Sequence, residues 1–245
     1  MRVRPLIGLL LGAGLVLTGG AWASGLQVAP VSLTLAATQT ADGLWLSNTG
    51  TDMLHAQVRV YRWTQAGGEE QLTPSQELVI SPPMLGIGAG DRQLVRVIRV
   101  GAPADGGAVE GAYRLAIDEL PLDQADKKGL QFVLHYSVPV FVEPPGKASV
   151  APVLHWQLQR DGEQVVLVVA NSGDGHAQLA DLSYVDQSGR RTPVAGGLLG
   201  YVLPGATMHW KLKQAATNFT GNGTLEATIN GAQAKQTLTL AARAR

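Results

Sequence analysis

The sequence predicts an all-β protein made of two β-sandwich domains. Three observations carry this expectation. Apolar and polar residues alternate with period two along many short runs, while helical periodicity is scarce. Turn-forming clusters recur at intervals of about eight to twelve residues, the spacing of a sandwich. Gly occurs 30 times and Pro 13 times while aromatics make up only 5%, which favours short strands and tight turns. Of the 245 residues 45% are hydrophobic, as suits a packed core. The 19 basic and 19 acidic residues cancel, which excludes a strongly basic nucleic-acid binder or a polyacidic tail.

Residues 1–23 read as a secretory signal peptide. Arg2 and Arg4 provide the positive start, Leu6 to Val16 the apolar stretch, and Ala21-Trp22-Ala23 the small residues of a cleavage site. The apolar stretch falls short of the roughly 20 residues that span a bilayer. The chain contains no cysteine, so an exported product relies on its cores alone.

Strands are expected over 26–35, 42–48, 54–64, 92–100, 112–119 and 130–142 in the first half. Asn48-Thr49-Gly50, Gly67-Gly68-Glu69-Glu70, Ser81-Pro82-Pro83 and Gly88-Ala89-Gly90-Asp91 punctuate them. Glu143-Pro144-Pro145-Gly146 reads as a stiff connection between domains 24–144 and 145–245. Beyond it, strands are expected over 153–160, 164–170, 177–186, 190–194, 198–203, 207–213, 223–230 and 233–241. The first domain carries 8 basic and 13 acidic residues and the second 9 and 6, opposite signs that favour docking weakly.

Catalytic and metal-binding patterns are absent from the sequence. The five histidines, at 55, 135, 155, 176 and 209, form no zinc motif. No nucleophile elbow or phosphate loop occurs beyond the signal segment. Asp118 and Glu119 are adjacent, so a strand turns them to opposite faces. No enzyme activity, metal or cofactor is therefore expected.

Segment 130–142 is the most informative. Leu130, Phe132, Leu134, Tyr136, Val138, Val140 and Val142 share one face of it. Its thirteen residues are about twice the mean strand length. Pro139 has no amide hydrogen and favours an edge position. A long apolar edge is an aggregation hazard that soluble proteins suppress, unless a partner pairs with it by β-augmentation. An ordinary core strand with its apolar face inside the sandwich gives the same pattern, and periodicity alone leaves both open.

Several motifs in order extend across 26–144: LWLSNTG (44–50), VYRWTQ (60–65), LVISPP (78–83), IGAGDRQLVRV (87–97), AYRLAIDELP (112–121) and LHYSVPVFVEP (134–144). Together with the signal peptide they resemble a periplasmic chaperone of the chaperone–usher pilus pathway, closest to the archaic branch that builds Csu-like pili. In 145–245 the likeness is confined to strand-rich character and the Asn171-Ser172-Gly173 turn. The resemblance implies two immunoglobulin-like domains set in a boomerang. It implies a periplasmic protein that captures pilin subunits lacking their last strand and delivers them to an outer-membrane usher. It also implies that the subunit-binding strand donates Leu130, Phe132, Leu134, Tyr136 and Val138 to the open groove of the pilin. No nucleic acid or small-molecule cofactor takes part, and cargo-free self-association through the edge remains open.

One departure from the family stands out. Family members anchor the pilin carboxylate with an Arg on the first strand and a Lys on the long strand; matching the motifs puts Ser32 and Pro139 at those positions. A carboxylate in a cleft needs a cation or several donors. The candidates are Arg96, Arg114 and Arg99, in that order, with a structural salt bridge as the other reading of Arg96. Glu119 matches an acidic residue used between domains in the family, but its arginine partner is replaced by Glu143. Trp45, Trp63, Trp156 and Trp210 are expected as packing residues, and Tyr113 as a corner tyrosine or a binding residue. The competing function is an extracytoplasmic adhesin or carbohydrate-binding module, which the few aromatics do not favour.

Overall fold

The computed structural model describes residues 25–101, 108–121, 133–146, 149–219 and 222–242. The expected signal segment, and Leu130 and Phe132 of the expected donor face, lie outside the described residues. Among the described residues there are seventeen strands and one 3-10 turn, Ala216–Asn218. Ladder pairings between strands join partners within 26–142 or within 154–242, and the isolated bridge Gly68–Met208 links the two sets.

The first sandwich has two layers. One sheet contains β1 (Leu26–Ala29), β3 (Ala41–Asn48), β8 (Arg92–Arg99) and β6 (Leu78–Ser81), in the order β1-β3-β8-β6. The other contains β2 (Leu33–Leu35), β10 (His135–Val142), β9 (Gly111–Leu120), β4 (Leu54–Ala66) and β5 (Glu69–Pro74) in the order β2-β10-β9-β4-β5, with β7 (Met84–Ile87) also on β4. Alternation decides which side chains meet between the layers. Leu44, Leu46, Val95 and Val97 from one sheet face Leu115, Ile117, Val138 and Val140 from the other, in one buried cluster.

The expected single strand over 26–35 is two strands in different sheets. Pro30 has no amide for a ladder, so β1 ends at Ala29 and the chain crosses to the second layer, where β2 runs parallel to β10. β5, β6 and β7 are three short strands that alternation did not single out. β5 is exposed along its whole length, so it has no apolar face to read.

The second sandwich runs in the order β14-β13-β16-β17-β11-β12-β15. Its strands are β11 (Leu154–Asp161), β12 (Gln164–Asn171), β13 (Ala177–Val185), β14 (Arg191–Val202), β15 (Thr207–Leu212), β16 (Asn222–Ile229) and β17 (Ala232–Ala242). β17 pairs with β16 first and then passes to β11. The expected strands 190–194 and 198–203 are one strand, β14. Gly196-Gly197 is a bulge opposite β13 and not a turn: Gly197 has a φ of 68° and its N–H donates to Asp181 Oδ1 at 2.8 Å.

An equivalent buried asparagine closes a turn in each sandwich. Asn48 Nδ2 donates to the Asp52 and Ile87 carbonyls, and its Oδ1 accepts from Gly50 N–H. Asn171 Nδ2 donates to Gly175 and Val202, and its Oδ1 accepts from Gly173 and Val153. Asn48 makes three such bonds and Asn171 four in an otherwise apolar interior, which is why Asn and not an aliphatic residue sits there.

Candidate functional site

β10 is held on one side only over most of its length. Its ladder with β9 runs from His135↔Asp118 to Val142↔Gly111, whereas β2 covers it only at Val140, Phe141 and Val142. Glu119 N–H donates to the Leu134 carbonyl at 2.9 Å, so the antiparallel pairing extends back to Leu134. Among the described residues the other side of 134–139 has no partner strand.

The even-numbered side chains of β10 turn inward. Val138 is 3% exposed and belongs to the core of its own sandwich, so it is not available to a guest strand. Leu134 and Tyr136 are half-buried at the rim of that core, and the Tyr136 hydroxyl donates to the Leu26 carbonyl at 2.7 Å. The apolar face is thus closed at its C-terminal end and opens progressively toward Leu134. The odd-numbered side chains point to the outer face of the sheet. There His135 Nδ1 lies 2.6 Å from Asp118 Oδ1, and Arg59 Nη2 donates to Asp118 Oδ2 at 2.7 Å. Burial opposes ionisation of Asp118, but the Arg59 and His135 hydrogen bonds outweigh it and hold the carboxyl below the ordinary aspartate range.

The three candidate cations are separated by the fold. Arg96 lies exposed on β8 between buried Val95 and Val97, so it points outward from the four-stranded sheet. Arg99, at the end of the same strand, directs Nη1 to the Ala37 carbonyl at 3.5 Å. Arg114 is on β9, directly opposite Pro139. It points outward from the other sheet, on the far side of the sandwich from Arg96. Layers about 10 Å apart with outward-facing side chains cannot bring Arg96 and Arg114 to one ligand.

Register brings Arg114 to the departure from the family pattern. Val140 pairs with Leu33, so the preceding residues, Pro139 and Ser32, are neighbours at the point where β2 begins. Ser32, Pro139, Arg114 and Tyr61 therefore form one row across the sheet. The cation missing from the first two positions is present one strand further along.

Arg114 lies in a cradle between the two sandwiches. Its guanidinium sits 3.7 Å from the Trp63 ring centroid and 5.2 Å from that of Tyr201. Glu70 Oε1 is 3.7 Å away, long for an ion pair, and the Glu70 side chain is 43% exposed while that of Arg114 is 13% exposed. Burial lowers the Arg114 pKa, with Glu70 and Tyr201 acting against it. The result is a desolvated cation with a weak, water-accessible counterion.

Contacts between the sandwiches hold this cradle. Gln65 Nε2 donates to the Tyr201 carbonyl and Leu203 N–H donates to Gln65 Oε1, each at 2.9 Å. Glu110 is buried; its Oε2 accepts from His176 N–H at 2.8 Å and lies 2.7 Å from His176 Nδ1. The His176 ring stacks on Phe141 with 3.5 Å between centroids and 1° between planes. Trp63, Phe141 and Ala112 belong to the same buried cluster as the second sandwich core. At Gly68 the hairpin backbone passes so close to the His209 ring that a Cβ would collide with it. Trp63, Tyr201, Gln65, Glu110 and His176 were not singled out from the sequence as a group. They are far apart along the chain, and no local pattern links them.

Tyr113, on the inward face of β9, is a buried corner residue. Its hydroxyl donates to Glu77 Oε2 at 2.8 Å and accepts from Arg62 Nη1 at 2.9 Å. Burial, reinforced by the Glu77 hydrogen bond, pushes its pKa up to about 12.

Two packed sandwiches, a half-paired edge strand with a graded apolar face, and a cation in the cleft where that edge ends make up the candidate site. Residues 25–148 match the family described as pili and flagellar-assembly chaperone, PapD N-terminal domain. The chain belongs to this family. A solved complex of the CsuC chaperone with the CsuE tip adhesion subunit, from archaic Csu pili of Acinetobacter baumannii, is 26% identical; the match covers 88% of this chain and 99% of that one, with a TM-score of 0.67. The CupB2 chaperone of Pseudomonas aeruginosa (15% identity, 88% and 100% covered, TM-score 0.59) shares the fold. So does a Salmonella enterica complex of SafA pilin with the SafB chaperone (17% identity, 89% and 97% covered, TM-score 0.60). No curated protein sequence matches the chain. Among the described residues no helix is long and apolar enough to cross a membrane.

Proposed function

We propose that this protein is a periplasmic assembly chaperone that captures pilin subunits along the open edge of β10 and hands them to an outer-membrane usher. In this reading residues 1–23 direct export, 24–144 form the capturing domain, and 145–245 wall the cleft. The observation that supports it is the edge of 134–139, which among the described residues has no strand on one side and carries half-buried Leu134 and Tyr136. A pilin lacking a strand exposes both a sheet edge and an apolar groove; β10 supplies hydrogen-bonding groups for the first and side chains for the second. By sequence alternation Leu130 and Phe132, which lie outside the described residues, belong to the same expected donor set. Each side chain buried in the groove contributes about 1.5–3 kcal/mol.

Arg114 is the anchor for the pilin carboxylate in this reading, ahead of Arg96 and Arg99. It lies in the row of Ser32 and Pro139, and its contact with Glu70 is long enough for a guest carboxylate to replace it. Capture and release form and break no covalent bonds.

Co-expression with a candidate pilin subunit tests the proposal. The expected outcome is a soluble one-to-one complex and a rise in the level of one subunit. Unchanged subunit level and solubility would count against it.

A further inference from the structure

Resting on the capture reading above, we infer that Pro139 makes the open edge of β10 selective for a guest strand that ends there, that is, for a free C-terminus. In an antiparallel pair alternate residues turn their peptide groups to the partner and to the opposite side. Leu134 bonds to Glu119 on β9, so His135, Ser137 and Pro139 turn theirs to the open side. The same parity reappears where β2 covers the edge, for Glu143 N–H donates to the Leu35 carbonyl at 2.9 Å. His135 and Ser137 each offer an N–H and a C=O, whereas Pro139 offers a C=O alone.

A guest lying along this edge with its end at the Arg114 row runs in the same direction as β10. The guest residue whose N–H reaches the Ser137 carbonyl then aims its own carbonyl at Pro139, which has no hydrogen to give. Beyond this point Ser32 and β2 occupy the edge. An internal guest peptide would therefore carry an unsatisfied carbonyl into an obstructed position. A terminal carboxylate ends there instead, in the row of Arg114. Pro139 thus withholds one rung of the ladder, and only a chain end does without it.

The test uses the subunit recovered in the one-to-one complex, as its natural sequence and with Gly-Gly appended to its C-terminus. Binding to the unmodified full-length chaperone is expected to fall roughly tenfold or more on extension. Pro139→Ala, which restores the N–H, is expected to bind the extended subunit about threefold or more tighter than the unmodified chaperone does. Equal affinity of the unmodified chaperone for both subunits overturns the inference, whatever the folding of the variant. So does a folded Pro139→Ala protein that binds the extended subunit no better than the unmodified chaperone. Failure to bind the natural subunit at all refutes the capture reading and is distinguished by that first measurement.

Discussion

Replacing Arg114 with Met separates anchoring from folding. The Arg114 guanidinium lies 3.7 Å from the Trp63 ring centroid, and Met in its place is long enough to keep an apolar contact with that ring. The charge itself is a cost to the fold. A cation whose pKa is lowered by burial holds its proton less tightly folded than unfolded, so below both pKa values folding bears the desolvation. The opposing gains are a cation–π contact worth about 2 kcal/mol at a desolvated site and a long contact to half-exposed Glu70. Arg114→Met is therefore expected to shift stability at neutral pH by no more than about 2 kcal/mol. Capture is different: a charge-assisted hydrogen bond to a carboxylate is worth about 1.5–3 kcal/mol, so affinity should fall roughly ten- to 150-fold. Thermal unfolding and a binding titration with the purified subunit measure the two effects. Unchanged affinity for Arg114→Met, or an equal loss for Arg96→Ala on the opposite sheet, would refute the assignment of Arg114 as the anchor.

Further outcomes follow from the same geometry. Leu134→Asp should abolish capture and leave the fold intact, whereas Val138→Ala should leave capture in place and cost about 1.5–3 kcal/mol of stability, both read by unfolding and co-purification. His176→Ala removes a ring stacked on Phe141 and a hydrogen bond to buried Glu110, and a loss of about 1–3 kcal/mol in thermal unfolding is expected, with a broader range of interdomain angles in solution scattering. Tyr113 titrates up to about 12 in the folded protein, so its contribution is fully present below the ordinary tyrosine value near 10 and is lost as pH rises from there through about 12. Ultraviolet titration should show Tyr113 ionising late together with Tyr184, whose pKa burial also raises, and Tyr113→Phe should remove the alkaline loss that belongs to Tyr113.

Much of the fold was legible because alternation is a local property. Leu44, Leu46, Val95 and Val97 repeat at two-residue intervals and are buried as that spacing requires. The spans that were misread are those where a local signal has two meanings. Gly196-Gly197 serves as a turn or a bulge, and only the β13 partner with Asp181 decides which. Pro30 interrupts a strand without saying that the chain changes sheets.

The chain order of residues was enough to predict most strands and turns and the alternating apolar positions of 134–142, since each depends on neighbours within a few positions. Tertiary structure alone decided that Val138 belongs to its own core while Leu134 stands at the rim, and that Arg114 shares a row with Ser32 and Pro139. Both depend on strand register and on which sheet faces which. Those are set by packing between residues tens of positions apart, where sequence spacing carries no distance information.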